Sequence, residues 1–295
     1  MVGPPGAGKT LMASCVPSVL PEMNLEEAIE VTSIQSVAGL TYGRGLAAKR
    51  PFRNPHHSVT PAGMLGGGNP PFPGEVTLAH RGVLYLDEYC EYRQAVLQCL
   101  KGPMGDGFVV ISRSRARVVF PSTFMLIASA NPCPCGYLGD WERPCVCSGD
   151  QIMRYERKLS GPVIDRIDIQ VDVPRVSRAN LQGRKLYRSS AQIRASVSEA
   201  RARQKRRYAS PVATNAGMDS RNIEGVASLS PLASALLYEA VDKMALSARA
   251  YHKLIKVART IADLDGSCHV KDEHVLEAIQ YRVLDSASRA RCSHG

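Results

Sequence analysis

The feature that most restricts what this chain can fold into stands at its start, Gly3-Pro4-Pro5-Gly6-Ala7-Gly8-Lys9-Thr10. It fits G-x-x-x-x-G-K-[ST], a phosphate-binding loop that belongs between a strand and a helix. Gly3, Gly6 and Gly8 are expected to take positive φ, so that successive N–H groups turn inward around phosphate. Lys9 would reach the β- and γ-phosphates, and the Thr10 hydroxyl would ligate Mg²⁺. Leu11 to Cys15 reads as the first turns of a helix whose positive end faces the anion. A Gly/Pro turn could match this pattern by chance, and a second motif decides against that. In Gly82-Val83-Leu84-Tyr85-Leu86-Asp87-Glu88, four apolar residues in a row suit a strand buried on both faces of a parallel sheet. Carboxylates at its end fit the carboxyl edge, where α/β sheets bind ligands. Asp87 is expected to hold Mg²⁺ through water, and Glu88 to polarise the attacking water. The pair of motifs implies a nucleoside triphosphatase.

Only Met1 and Val2 precede Gly3, whereas such a loop follows a full strand in the middle of its sheet. The expectation is a fragment, or a reading frame opened at an internal start codon. A chain of 295 residues, 44% hydrophobic, can bury a large core in one to two domains. No apolar run approaches the ~18 residues of a membrane span, and no signal peptide fits beside the P-loop, so no membrane and a cytoplasmic location are expected. In such a compartment paired cysteines suggest metal and not disulfides. The net charge of +10 is local: eleven Lys/Arg against the single acid Glu199 lie between Arg175 and Tyr208.

Along the chain, Ile29 to Gln35 reads as a short strand or the edge of a helix. Residues 41–75 form a Gly/Pro-rich tract of the length that usually serves function. Within it, His56 and His57 would point apart, which favours a nucleotide- or DNA-facing loop over a metal site. Glu91 to Leu100 reads as a helix. Phe108–Arg113 and Ala116–Phe120 read as a β-hairpin with a basic tip, Ser112-Arg113-Ser114-Arg115, that is either a solvated turn or touches substrate. Phe124–Ala130 is a second buried strand, and Asn131 at its end either orients water or forms a turn. Cys133-Pro134-Cys135 and Cys145-Val146-Cys147 close one loop with four thiols, enough for tetrahedral Zn²⁺ or left as plain reduced cysteines. Residues 151–166 are helical in pattern, and Ile167–Val173 alternates as a strand does. Ala191–Arg207 is a basic helix, solvated or facing nucleic acid. Three apolar-periodic segments near 231–245, 247–264 and 271–285 make an all-α unit.

The chain resembles the magnesium-chelatase-like AAA+ ATPases, most closely their ComM (YifB) branch. The matching text includes Arg50-Pro51-Phe52-Arg53-Asn54-Pro55-His56-His57-Ser58, Pro73-Gly74-Glu75-Val76-Thr77-Leu78-Ala79-His80, and Gly82 to Glu88. It continues with Ala130-Asn131-Pro132-Cys133-Pro134-Cys135-Gly136, Leu159 to Asp168, and Ala248-Arg249-Ala250 through Lys256 to Ala262. The resemblance spans essentially the whole chain. It implies an α/β fold, a P-loop AAA+ parallel sheet domain with β-hairpin insertions over residues 1–174. A basic helix and linker over 175–220 and an all-α lid over 221–290 would follow. A homo-hexameric ring with ATP and Mg²⁺ at subunit boundaries is implied too. By motif position Asn131 corresponds to sensor 1, Arg166 to the arginine finger reaching a neighbour's γ-phosphate, and Arg249 to sensor 2. Such groups position phosphates and neutralise charge during phosphoryl transfer.

Members of this branch are similar to DNA helicases that promote branch migration during natural transformation. The implied partner is single-stranded or branched DNA, with hairpins at 60–72 and 108–120 lining the ring's pore. Departures from the family pattern are the missing amino-terminal domain (Lon-protease-like in fold), Cys90 where Pro is usual, and Gly105 where an acid is common. Competing functions are the ATPase subunit of a magnesium-chelatase-type metal-insertion complex and a non-catalytic truncated fragment. The C-x-C pairs and the basic segment favour the DNA motor.

Overall fold

The computed structural model describes residues 1–41, 45–113, 116–159, 161, 163–175, 188–208 and 214–282. They form two compact units. One contains Met1–Ile167 with the described part of Val173–Lys185, the other Asp168–Asp172 with the described part of Leu186–Gly295.

In the first unit, α1 (Lys9–Val19) starts directly on the P-loop, with Gly8 left-handed at its N-cap position. The helix α2 (Leu25–Val37) opens on a reciprocal capping box between Asn24 and Glu27, which satisfies two of its orphan N–H groups and makes residues 29–35 helical. The long tract after it carries its own short elements: β1 (Phe52–Arg53), α3 (Pro61–Leu65), β2 (Gly66–Gly67), β3 (Phe72–Pro73) and α4 (Glu75–Leu78). Its arginines are clamps. Arg53 forks onto both Glu75 carboxylate oxygens at 2.7 and 2.8 Å, and Arg50 ties the carbonyls of Pro21 and Arg81. The central strand β4 (Val83–Leu86) is fully buried, as its apolar run required. The expected helix from Glu91 instead begins three residues later, as α5 (Gln94–Cys99). Tyr92 is extended there, and its hydroxyl donates to the Pro55 carbonyl. Then come α6 (Lys101–Asp106), the hairpin strands β5 (Phe108–Arg113) and β6 (Ala116–Pro121), β7 (Met125–Ala128) and α7 (Gly149–Lys158).

The main sheet has the parallel order β1-β4-β7, in register from Phe52 opposite Val83 to Leu86 opposite Ala128. Beyond β7 the first residues of the chain continue it. The Ala130 N–H donates to the Met1 carbonyl at 2.9 Å, the Gly3 N–H to the Ala130 carbonyl at 3.2 Å, and the Val173 N–H to the Val2 carbonyl at 2.7 Å. The P-loop therefore leaves the sheet between β7 and residue 173. Gly3 does not take positive φ as expected; only Gly6 and Gly8 do, at 78° and 81°. Gly3 is needed because a Cβ there would lie 2.1 Å from the Val173 carbonyl oxygen.

The expected strand Ile167–Val173 does not form. Over residues 169–171 the alternation is inverted, with apolar Ile169 and Val171 facing solvent and Gln170 buried. Backbone bonds from this stretch go to single partners, Gln170 to the Tyr281 carbonyl and Val173 to Val2. A period-two pattern becomes a strand only beside a ladder partner of matching length.

The second unit comprises α8 (Ser190–Tyr208), α9 (Ile223–Ala227), α10 (Pro231–Met244), α11 (Ala248–Leu264) and α12 (Asp272–Gln280). Ser230 and Ser247 cap α10 and α11 by accepting from Ala233 and Ala250 N–H. Leu237, Leu254, Ile255, Ala258, Ala262 and Val275 fill its core. Among the described residues no helix is long and apolar enough to cross a membrane.

Candidate nucleotide site and cysteine knuckle

The two sequence motifs meet at the carboxyl edge of the parallel sheet. Thr10 Oγ1 donates to Asp87 Oδ2 at 2.9 Å. Asp87 Oδ1 accepts from Tyr85 Oη at 2.9 Å, Ser129 Oγ at 2.5 Å and the Glu88 N–H at 3.0 Å. Burial works against this carboxylate, but the hydrogen bonds outweigh it and hold its pKa below the usual range. Each charge-assisted bond of this kind contributes about 1.5–3 kcal/mol. The charge is thus fixed before any cation arrives. Motif logic alone missed Tyr85 and Ser129. Tyr85 sat in an apolar run, two residues before Asp87 and so on the same face, whereas the pairing of β4 with β7 is what brings Ser129 beside Asp87.

Lys9 Nζ donates to the carbonyls of Gly3 and Pro4 at 2.6 and 2.9 Å and to Asn131 Oδ1 at 3.2 Å. Burial lowers its pKa, opposed by the charges of Asp87 and Glu88. Asn131 stands one residue beyond the last sheet bond of Ala130, so its side chain reaches the phosphate loop. Glu88 follows on a left-handed backbone (φ 51°, ψ 50°), a conformation that costs a non-glycine residue energy and that proteins retain where a side chain must be aimed. Its carboxylate is 62% exposed, with His57 Nδ1 3.9 Å away. The adjacent histidines do not point apart as expected. Their ring centroids lie 4.0 Å apart, and His57 packs edge-on to Tyr92, because the loop is turned and not extended. The four-cysteine cluster is the only metal-type side-chain group found among the described residues, and neither histidine belongs to it.

Arg166 ends a short 3₁₀ turn, Ile164–Arg166, in the same unit and is half-buried. Arg249 lies in the other unit, exposed on the first turn of α11. At the hairpin, β5 and β6 pair from Phe108 opposite Pro121 to Arg113 opposite Ala116. The Ser114-Arg115 tip and the side chain of Arg113 lie outside the described residues, as do residues 176–187 of the basic stretch.

Cys133, Cys135, Cys145 and Cys147 converge, with all four sulfurs within 4.8 Å of one another. Cys133 Sγ lies 3.3 Å from Cys135 Sγ and 3.6 Å from Cys145 Sγ, and the latter two are 3.6 Å apart. A tetrahedron of Zn–S bonds of ~2.3 Å has S···S edges of about 3.8 Å, so the sulfurs fit zinc. The backbone N–H groups of Tyr137 and Val146 draw the Cys135 thiol down to about 6, while burial and the neighbouring sulfurs push the Cys145 and Cys147 thiols up, so the free thiols share protons and the fit to zinc rests on their geometry.

The basic helix α8, read from the sequence as either solvated or facing nucleic acid, divides into two faces. Arg207 grips the buried Asp263 with both Nη atoms, at 3.0 and 2.5 Å, and Arg203 donates to the Asp263 carbonyl at 2.7 Å. Asp263 also pairs with the fully buried Arg259 at 3.0 Å. Arg203 and Arg207 therefore hold α8 onto α11, while Arg201, Lys205 and Arg206 are exposed.

A P-loop leaving the middle of a parallel sheet, an acidic residue pair at the end of the adjoining region and a helical unit after it define a P-loop AAA+ α/β protein with a helical carboxyl-terminal domain. The chain belongs to the family described as "Magnesium chelatase, subunit ChlI", whose model matches residues 1–181, with that of its C-terminal region matching residues 187–282. It is 41% identical over 285 residues to competence protein ComM of Haemophilus influenzae, covering 96% of this chain and 55% of that protein. It is 39% identical over 291 residues to uncharacterized protein YifB of Escherichia coli, with 97% and 56% covered. An uncharacterized protein of Mycobacterium bovis is 36% identical over 285 residues. These relatives agree with the ComM branch. The chain spans about half the length of the curated relatives it matches.

Proposed function

We propose that this chain is the ATP-hydrolysing part of a motor that acts on DNA. The observation that carries the first half is the cluster of Lys9, Thr10, Asp87 and Asn131 at the carboxyl edge of a parallel sheet, with Glu88 beside it. The backbone from Gly3 to Gly8 would cradle the phosphates, and Lys9 would exchange its loop carbonyls for β- and γ-phosphate oxygens. Thr10 and Asp87 fit Mg²⁺, because their oxygens already lie 2.9 Å apart and Asp87 is ionised. That ion, when bound, neutralises charge on the phosphates. Glu88, exposed on its left-handed turn, would accept a proton from the attacking water. Asn131 would orient that water, and Arg166 would reach a neighbour's nucleotide within a hexameric ring.

For DNA the support is the exposed basic face of α8 together with the resemblance to the ComM branch, whose similar Haemophilus protein bears the name of a competence protein. The family description favours a second reading, a metal-chelatase ATPase subunit. The four cysteines would hold one structural Zn²⁺ in either case. Hydrolysis measured with and without single-stranded and branched DNA tests the proposal. Lys9→Ala is expected to abolish nucleotide binding, and Glu88→Gln to bind ATP but turn over at least ~10²-fold more slowly. Hydrolysis by Glu88→Gln at the parent rate removes the base assignment. Absence of DNA binding at low salt moves the chelatase reading to first place.

A further inference from the structure

The four cysteines hang directly from the nucleotide site. Cys133 is two residues beyond Asn131, which accepts the Lys9 ammonium. The turn that follows is closed by the Gly136 N–H donating to the Cys133 carbonyl at 3.0 Å. Gly136 is buried with φ 86°, and a Cβ there would lie 2.6 and 2.8 Å from Cδ and Cγ of Pro5, in the middle of the phosphate loop. The far limb of the knuckle is anchored beside the same loop. Asp140 accepts from the N–H groups of Glu142 and Arg143 and faces Arg175 at 3.3 Å, and Arg175 also bonds Glu142. Arg175 lies two residues after Val173, whose N–H holds Val2 and whose carbonyl Gly3 abuts.

Apart from these polar ties around Gly136 and Asp140, the converging sulfurs are what draw the two limbs of the loop together. Residues 133–147 contain no helix or strand, and Trp141 and Val146 are 71% and 82% exposed. A loop without a core takes its fold from the metal that its thiolates bind. We propose that zinc on Cys133, Cys135, Cys145 and Cys147 is the buttress of the phosphate loop, so that ATP affinity depends on metal occupancy through the Gly136–Pro5 contact. This rests on the nucleotide and zinc assignments above. It gives the knuckle a place in the ATP site and makes Gly136 a positioning residue.

The test is zinc content by elemental analysis alongside titration with a fluorescent ATP analogue, on protein as purified, after stripping with a chelator, and after zinc is returned. One equivalent of zinc is expected, with affinity falling at least ~10-fold on stripping, the scale of second-shell losses, and recovering on reloading. Gly136→Val should keep its zinc yet lose a similar factor, and Lys9→Ala should lose affinity with zinc unchanged. Stripped protein with an unaltered circular dichroism spectrum and unaltered affinity overturns the buttress and leaves the ATP site standing. Gly136→Val with full zinc and full affinity does the same. Protein that neither carries nor takes up zinc overturns the metal, and zinc-loaded protein that binds no nucleotide overturns the ATP assignment instead.

Discussion

At the residue scale the site turns on Asp87. Its carboxylate is held below its usual pKa by donors from three parts of the chain: Thr10 after the P-loop, Tyr85 in β4 and Ser129 after β7. A depressed acid contributes stability that is present above its unfolded pKa and is lost as pH falls through the folded value. Ser129→Ala removes the shortest of these bonds without adding volume. It is expected to raise the Asp87 pKa, move acid unfolding to higher pH and cost about 1–2 kcal/mol. A pH series of chemical denaturation on both proteins measures this, and the Mg²⁺ concentration needed for half-maximal hydrolysis should rise in parallel. If acid unfolding of Ser129→Ala coincides with that of the parent, the bond does not hold the charge.

At the element scale, one histidine joins α2 to the sheet. His80 Nδ1 accepts from the Thr123 N–H at 3.0 Å, so its proton sits on Nε2 and faces Glu30 Oε2 at 3.1 Å. A second proton would be forced against the Thr123 amide, and burial further lowers the pKa, with Glu30 opposing. The neutral form is therefore the stabilising one. Its contribution is full above the unfolded pKa of about 6.5 and disappears as pH falls through the lower folded value. His80→Gln is expected to flatten the fall of stability below pH ~6.5 by about one proton's worth of slope, as denaturation at stepped pH would show. A slope equal to that of the parent would refute the buried neutral imidazole.

The basic helix gives a second contrast at this scale. Arg207→Ala leaves buried Asp263 with less compensation and should cost about 3 kcal/mol, read as a lower Tm. Arg206→Ala, on the exposed face, should leave Tm unchanged. Equal effects would mean that α8 is not held as the geometry indicates.

At the scale of the whole molecule, the proposed activity belongs to an assembly and a polymer. Neutralising Arg201, Lys205 and Arg206 together should weaken binding to all DNA sequences alike. It should also flatten the salt dependence by ~0.7–0.9 in log–log slope for each lost phosphate contact. A steep, unchanged slope would place the DNA on another surface. Arg166 is expected to act across a subunit boundary, so inactive Arg166→Ala protein mixed with inactive Lys9→Ala protein should regain some hydrolysis. No recovery at any mixing ratio would argue against action in trans.

The chemistry-bearing loops and most element types could be read from local residue patterns. The P-loop spacing, the buried run Val83–Leu86, the hairpin at 108–121 and the helical periodicity of the second unit are local patterns, and each formed as its pattern required. The four cysteines were legible for the same reason, since two short spacings bring each pair together. The rest depended on which segments meet. Ile167–Val173 had a strand's alternation but found only single hydrogen-bond partners. The fate of the arginines in α8 depended on Asp263, 56 residues beyond Arg207. The bonds of Thr10 and Ser129 to Asp87 and the contact of Gly136 with Pro5 join residues distant in the chain. Side-chain period and turn chemistry are short-range, so the sequence displays them. Which polar group satisfies another across the packed sheet is long-range, and it is set by how the segments pack together.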